Sequence, residues 1–79
     1  MYLQTAIRKK IIKLMEETHI NGNQLAFKAG IARSGINKFI RQETKGIKIE
    51  TIALICEALN ITLEEFFADP LFKDVQVKD

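Results

Sequence analysis

A glycine in the middle of a helical pattern constrains this chain more than any other feature. In the stretch NQLAFKAGIARSGINKFI, residues 23–40, apolar positions recur at helical spacing on both sides of Gly30. One continuous helix would carry Gly30 at its centre, at a cost of about 1 kcal/mol relative to alanine. Two short helices meeting at Gly30 make use of it, because glycine enters the left-handed conformation that ends a helix without steric penalty. Ala26 is small enough to lie where two such helices cross. Leu25, Ile31, Ile36 and Phe39 are the apolar anchors that would hold both to a core. The stretch therefore predicts a helix over Gly22–Ala29, a turn at Gly30 and a second helix over Arg33–Arg41, a helix-turn-helix.

The rest of the chain supplies the remaining helices. Ile7, Ile11, Leu14 and Met15 form an apolar stripe that predicts a first helix over Gln4–Thr18, ended by Thr18-His19-Ile20-Asn21-Gly22. Asn21 followed by Gln24 is a capping-box variant at the start of the second helix. Residues 42–48, QETKGIK, are polar apart from Ile47 and read as a loop. Ile49, Ile52, Ala53, Cys56 and Leu59 predict a fourth helix over Ile49–Leu59, with Asn60 as its stop. The TLEE run at 62–65 is a second capping box, placing a fifth helix over Leu63–Ala68 before Pro70. The tail, LFKDVQVKD, alternates weakly and admits a short strand, an ordered arm or a frayed end. No alternating run is long enough for a sheet core. The expected fold is all-α and compact, with five helices in residues 1–69 and a tail over 70–79.

With 79 residues, the chain is one domain at most. Its apolar runs fall far short of a membrane span. The N-terminal charges lie within an amphipathic pattern and precede no apolar block, unlike a secretory leader. The single cysteine, Cys56, has no internal disulfide partner and suits a reducing compartment, so the cytoplasm is expected. Net charge is only +2, but it is unevenly spread. Residues 1–48 carry ten Lys and Arg against three Glu, a net +7, whereas residues 49–79 carry two Lys against seven acids, a net −5. A basic front and an acidic back fit an oriented encounter with a polyanion, or simply an uneven solvated surface.

Counted from Gly22, the residues Ala26, Gly30, Ile31, Ile36 and Phe39 fall at positions 5, 9, 10, 15 and 18 of the motif. With Phe27-Lys28-Ala29-Gly30-Ile31 after Leu25-Ala26, and KIETIALICEALNITLEEFF at 48–67, the chain resembles the lambda-repressor-like, Cro-type helix-turn-helix family over about residues 5–68. The resemblance implies a domain that binds double-stranded DNA and reads the major groove with its third helix. Three departures stand out. The family commonly has Gln at the first motif position, where it holds a phosphate; here it is Gly22, leaving only backbone N–H groups for that task. The family usually caps the third helix with Ser or Thr; here Ala32 forgoes a cap worth roughly 1 kcal/mol. Some members bury an Arg–Glu pair where this chain has Met15 and Ile40, an exchange that can be neutral or stabilising. Gly35, within the third helix, either allows close approach to a groove or is simply tolerated.

On this resemblance the outward residues of the third helix, Ala32, Arg33, Ser34, Asn37 and Lys38, face base edges. Arg33 is the candidate for a bidentate contact to guanine and Asn37 for adenine or a phosphate. Lys38 suits guanine or the backbone, and Ala32 a thymine methyl. Gly22, Asn23, Lys28, Arg41, Lys45 and Lys48 are the candidates for phosphate contacts, which position without reading sequence. Each of these side chains is otherwise an ordinary solvated one. Phe66, Phe67 and Phe72 are assigned to a homodimer surface, against the alternative that they close the core. His19 reads as a loop residue and Cys56 as a small core hydrophobe, so no metal or cofactor is implied.

Two functions from different classes compete. The first is a sequence-specific transcriptional regulator, a repressor acting as a homodimer on a double-stranded DNA operator. The second is a protein-interaction module on the same fold, antitoxin-like or binding a regulator partner, which the departures at Gly22 and Ala32 favour and the charge split opposes. An enzyme is the least supported class, since no nucleophile–base set or phosphate loop is present. Glu64-Glu65 serve more simply as the acidic start of the fifth helix.

Overall fold

The computed structural model describes residues 1–77; the last two residues of the expected tail, 78 and 79, lie outside the described residues. Five α-helices follow one another, α1 (Leu3–Thr18), α2 (Gly22–Ala29), α3 (Arg33–Ile40), α4 (Ile49–Ala58) and α5 (Leu63–Phe67), before a 3₁₀ turn over Pro70–Phe72. The all-α expectation holds, and every helix boundary falls within one residue of the expected one. α1 starts a residue earlier at Leu3, and α3, α4 and α5 each stop a residue earlier.

The core takes Ile7, Ile11 and Leu14 from α1, Leu25, Ala26 and Ala29 from α2, and Ile36 and Phe39 from α3. α4 adds Ile52, Ile55 and Cys56, and α5 adds Phe66. Phe39 and Phe66 are the largest side chains with essentially no exposure. Each contributes on the order of 2–3 kcal/mol by leaving water. Among the described residues no polar or charged residue is buried. Met15 and Ile40, the two positions where the resemblance suggested an exchanged ion pair, pack half-buried against this core, so no charge needs compensation there. Burial pushes the Cys56 thiol pKa up, so it stays protonated and behaves as a small hydrophobe.

The stripe expected for α4 needs correction. Ile55 is buried, whereas Ile49 is 52% exposed and Ala53 and Leu59 are only half-buried. IETIALICEA is apolar on nearly all sides, so its periodicity admits two neighbouring faces; packing against α2 and α5 selects the one centred on Ile52, Ile55 and Cys56.

Four helices end with one device. His19, Gly30, Gln42 and Asn60 adopt positive φ, from 58° to 70°. The next residue donates its N–H back into the helix: Ile20 to Met15 O, Ile31 to Ala26 O, Glu43 to Lys38 O and Ile61 to Cys56 O, at 2.8–3.1 Å. This satisfies carbonyls that would otherwise be orphaned. In three cases the next residue is an isoleucine that packs on the core. Glu43, after α3, instead turns outward and pairs with Arg41.

The tail returns to α1. Asp69 accepts from Lys10 Nζ at 3.0 Å, from Lys13 Nζ at 2.9 Å and from the Leu71 N–H at 2.9 Å. The Leu71 N–H and the two ammonium groups hold the Asp69 carboxyl well below the usual carboxylate range, and the hydrogen bond to Asp69 raises the Lys13 pKa. Further on, the Leu3 N–H donates to Gln76 O at 2.7 Å and the Gln76 N–H to Met1 O at 3.1 Å. This is an isolated parallel bridge rather than a strand. Phe66, Phe67 and Phe72 pack edge-to-face or tilted against one another, with ring centroids 4.8–5.8 Å apart. Their assignment to a dimer surface is thereby corrected: Phe66 is fully buried and the other two pack half-buried against the core.

Candidate nucleic-acid interface

α2 and α3 form the crossing expected of them. Asn21 caps α2: its Oδ1 accepts from the Gln24 N–H and its own N–H donates to Gln24 Oε1, both at 2.8 Å. Gly30, at φ 70°, ends it. α3 starts at Ala32 without a side-chain cap. Its first-turn N–H groups are therefore left for water or a ligand.

The outward face of α3 presents Ala32, Arg33, Ser34 and Lys38 to solvent, while Ile36 and Phe39 are buried on the other side. Gly35 lies on the exposed face. A Cβ there would meet no protein atom within 4 Å, so the fold itself does not require glycine at this position. Ala32 and Gly35 line one shallow groove with Lys48 and Thr51. α3 and the start of α4 thus border the same depression.

Asn37 is not a freely presented reader. Its Nδ2 donates to Asn23 Oδ1 at 2.9 Å, tying α3 to α2. A Cβ added to Gly22 would collide with Asn37 Oδ1 and stand 3.3 Å from its Cγ. Gly22 is buried because the Asn37 side chain fills the place a larger residue would need. A glutamine at the first motif position would displace Asn37, which gives the departure at Gly22 a physical cause.

The expected phosphate residues divide. Asn23 and Lys28 are exposed on α2, Lys45 is exposed in the 42–48 loop, and Lys48 is exposed at the N-cap position of α4. Arg41 is also exposed, but its guanidinium is paired with Glu43, which lowers the Glu43 pKa. The loop is moored to α1 by Gln4, whose Oε1 accepts from the Ile47 N–H at 3.1 Å. Sequence reasoning missed Gln4 because its partner lies 43 residues away. It also missed Arg8, which shares a cleft with Lys45. Phe27 is 87% exposed on α2, beside Ile20, Ile31, Lys28 and Arg33.

Among the described residues there is no group of three His, Cys, Asp or Glu side chains able to hold a metal ion, and no helix is long and apolar enough to cross a membrane. Two short crossed helices with an apolar inner side and a cationic outer one define a helix-turn-helix domain. The chain belongs to the family of Cro/C1-type helix-turn-helix DNA-binding domains, whose family model matches residues 10–70. It is similar to the crystal structure of the prophage Lp1 protein 11, with a TM-score of 0.80 at 25% sequence identity, covering 95% of this chain and 100% of that one. No curated protein matches the chain in sequence.

Proposed function

We propose that this protein is a transcriptional repressor that binds a double-stranded operator in the cytoplasm as a homodimer, with α3 in the major groove. One observation carries the reading. Around Gly35, α3 presents Arg33, Ser34 and Lys38 on a solvent face where no protein atom would block close approach. Arg33 reads guanine, Ser34 and Lys38 make further base-edge or backbone contacts, and Ala32 meets a thymine methyl. Asn37 acts mainly by holding Asn23 and the α2 N-terminus in place. Lys28, Lys45, Lys48, Asn23 and the backbone at Gly22 grip phosphates, with Arg41 sharing its charge between DNA and Glu43.

Residues 1–69 carry this activity and residues 70–79 form a tail, whose described part bonds back to the start of α1 through Gln76. The longest dimension of the protein, 31 Å, suits two copies side by side on half-sites about 34 Å apart. With the phenylalanines turned inward, Ile49, Leu54 and Leu63 are the exposed apolar side chains of α4 and α5 left for a partner copy. The competing reading, a protein-interaction module, draws on the exposed Phe27.

The test begins with selection of bound sequences from random duplexes. On the selected site, Arg33→Ala should lose roughly 1–3 kcal/mol of binding and relax the preference at one position. Lys48→Ala should weaken binding to all sequences alike. Identical behaviour of the two variants would sink the assignment of α3 as reader. A wild-type protein that binds no duplex at low salt would leave the protein-interaction reading.

A further inference from the structure

A second basic site lies off the recognition helix. The first turns of α1 and the loop after α3 enclose a cleft of about 360 Å³. Its charged residues are Arg8 from α1 and Lys45 from the loop; the remaining lining includes the hydroxyls of Thr5 and Thr44 and the amide of Gln42. Among the described residues no acidic side chain lines it. Of the other cations on α1 and at the end of α3, Lys10 and Lys13 are engaged with Asp69 and Arg41 with Glu43, whereas Lys9 and Lys38 point to solvent. Among the described residues neither Arg8 nor Lys45 is in an ion pair.

The loop that carries Lys45 is tied to the helix that carries Arg8. Gln4 Oε1 holds the Ile47 N–H at 3.1 Å. A Cβ at Gly46 would stand 3.4 Å from Gln4 Cδ, so the loop backbone lies directly on α1. Two cations with surrounding hydroxyl and amide donors suit a phosphate group, for which a guanidinium offers a planar fork of donors. The loop bearing Lys45 leaves the C-terminal end of α3, where the sugar–phosphate strand beside an occupied groove would pass.

We propose that this cleft seats a backbone phosphate of the bound duplex, with Arg8 supplying from α1 a contact that positions the protein without reading sequence. This rests on the DNA-binding reading above and extends it to a residue outside the helix-turn-helix. The test uses the full chain as wild type, Arg8→Gln, Arg8→Lys and Lys45→Gln, with thermal melting to confirm folding. Fluorescence anisotropy of a labelled random duplex is recorded across a series of salt concentrations. Each Gln variant should flatten the slope of log K against log salt by about 0.9, the value for one phosphate contact, and Arg8→Lys should restore most of it. A wild-type slope retained by Arg8→Gln overturns the proposal while leaving the DNA-binding reading intact. Absence of wild-type binding at low salt overturns both. A parallel NMR titration with inorganic phosphate separates the sources: shifts at Thr5, Thr44 and Lys45 without duplex binding would assign the cleft to a free phosphate instead.

Discussion

α5 has five residues and is fastened by its own side chains, whereas α3 has eight and is not. At the start of α5 the Thr62 hydroxyl accepts from the Glu65 N–H at 3.0 Å, and Glu65 Oε1 accepts from the Thr62 N–H at 2.9 Å. Glu64 and Glu65 also place negative charge at the positive end of the helix. α3 has alanine at its cap position, glycine in its interior and Arg33 in a first turn without an acidic residue. Local rules kept in α5 and broken in α3 identify where stability has been given up. What α3 lacks is what an anionic partner would supply, and its position depends on Ile36 and Phe39 below it and on Asn37 beside it.

The contrast can be broken most forcefully at Phe39. Phe39→Ala should cost about 3–5 kcal/mol in urea unfolding, because α3 has few other deep anchors. A loss below about 1 kcal/mol would show that α3 is held by something besides its inner face. Next comes Gly22→Ala, expected to cost about 1–3 kcal/mol by forcing Asn37 aside. The same change in an Asn37→Ala background should cost little, and equal costs in both backgrounds would dismiss the steric argument. Smaller still, Gly35→Ala should stabilise the fold by roughly 1 kcal/mol while weakening duplex binding; Ala32→Ser should add a comparable amount through its cap. If Gly35→Ala binds DNA as well as wild type, close approach at that turn is not needed.

The smallest effect concerns pH and belongs to the Asp69 clamp just before the tail. The Asp69 carboxyl is held below its unfolded value of about 3.9. Its stabilising contribution is therefore complete above about pH 5 and is lost as pH falls through the unfolded value toward the lower folded one. Lys13 is shifted the other way, so its share is intact below its unfolded value of about 10.4 and lost as pH rises beyond the folded one. A stability profile flat from pH 5 to 9 that drops in acid, with the drop reduced in Asp69→Asn, would match. An unchanged acid limb in that variant would show that the clamp contributes nothing measurable.

Much of the fold was legible because local chemistry announced it. Gly30, the Asn21/Gln24 and Thr62/Glu65 boxes and the stripe of α1 each specify structure within a few residues. α4 was less legible because IETIALICEA offers apolar residues in almost every direction, and only tertiary packing chooses Ile55 over Ile49. Gln42 gave no sign of its left-handed backbone, since glutamine has no special tolerance for it. The outward positions of α3 followed from the motif spacing. The partners of Asn37, Arg41 and Gln4 did not, because those contacts are side-chain meetings that periodicity does not encode. Asp69 is the plainest case: two lysines more than fifty residues earlier close on it.

The bridge between Tyr2 and Gln76 makes the described chain nearly a ring. Tyr2 and Val77 both border the Arg8–Lys45 cleft, whereas Met1 lines a separate depression with Lys13, Asp69 and Lys73, so a purification tag or fused domain attached before Met1 would emerge beside the Asp69 clamp. Fusions joined there would press on the contacts that hold the tail against α1 before they reached the cleft.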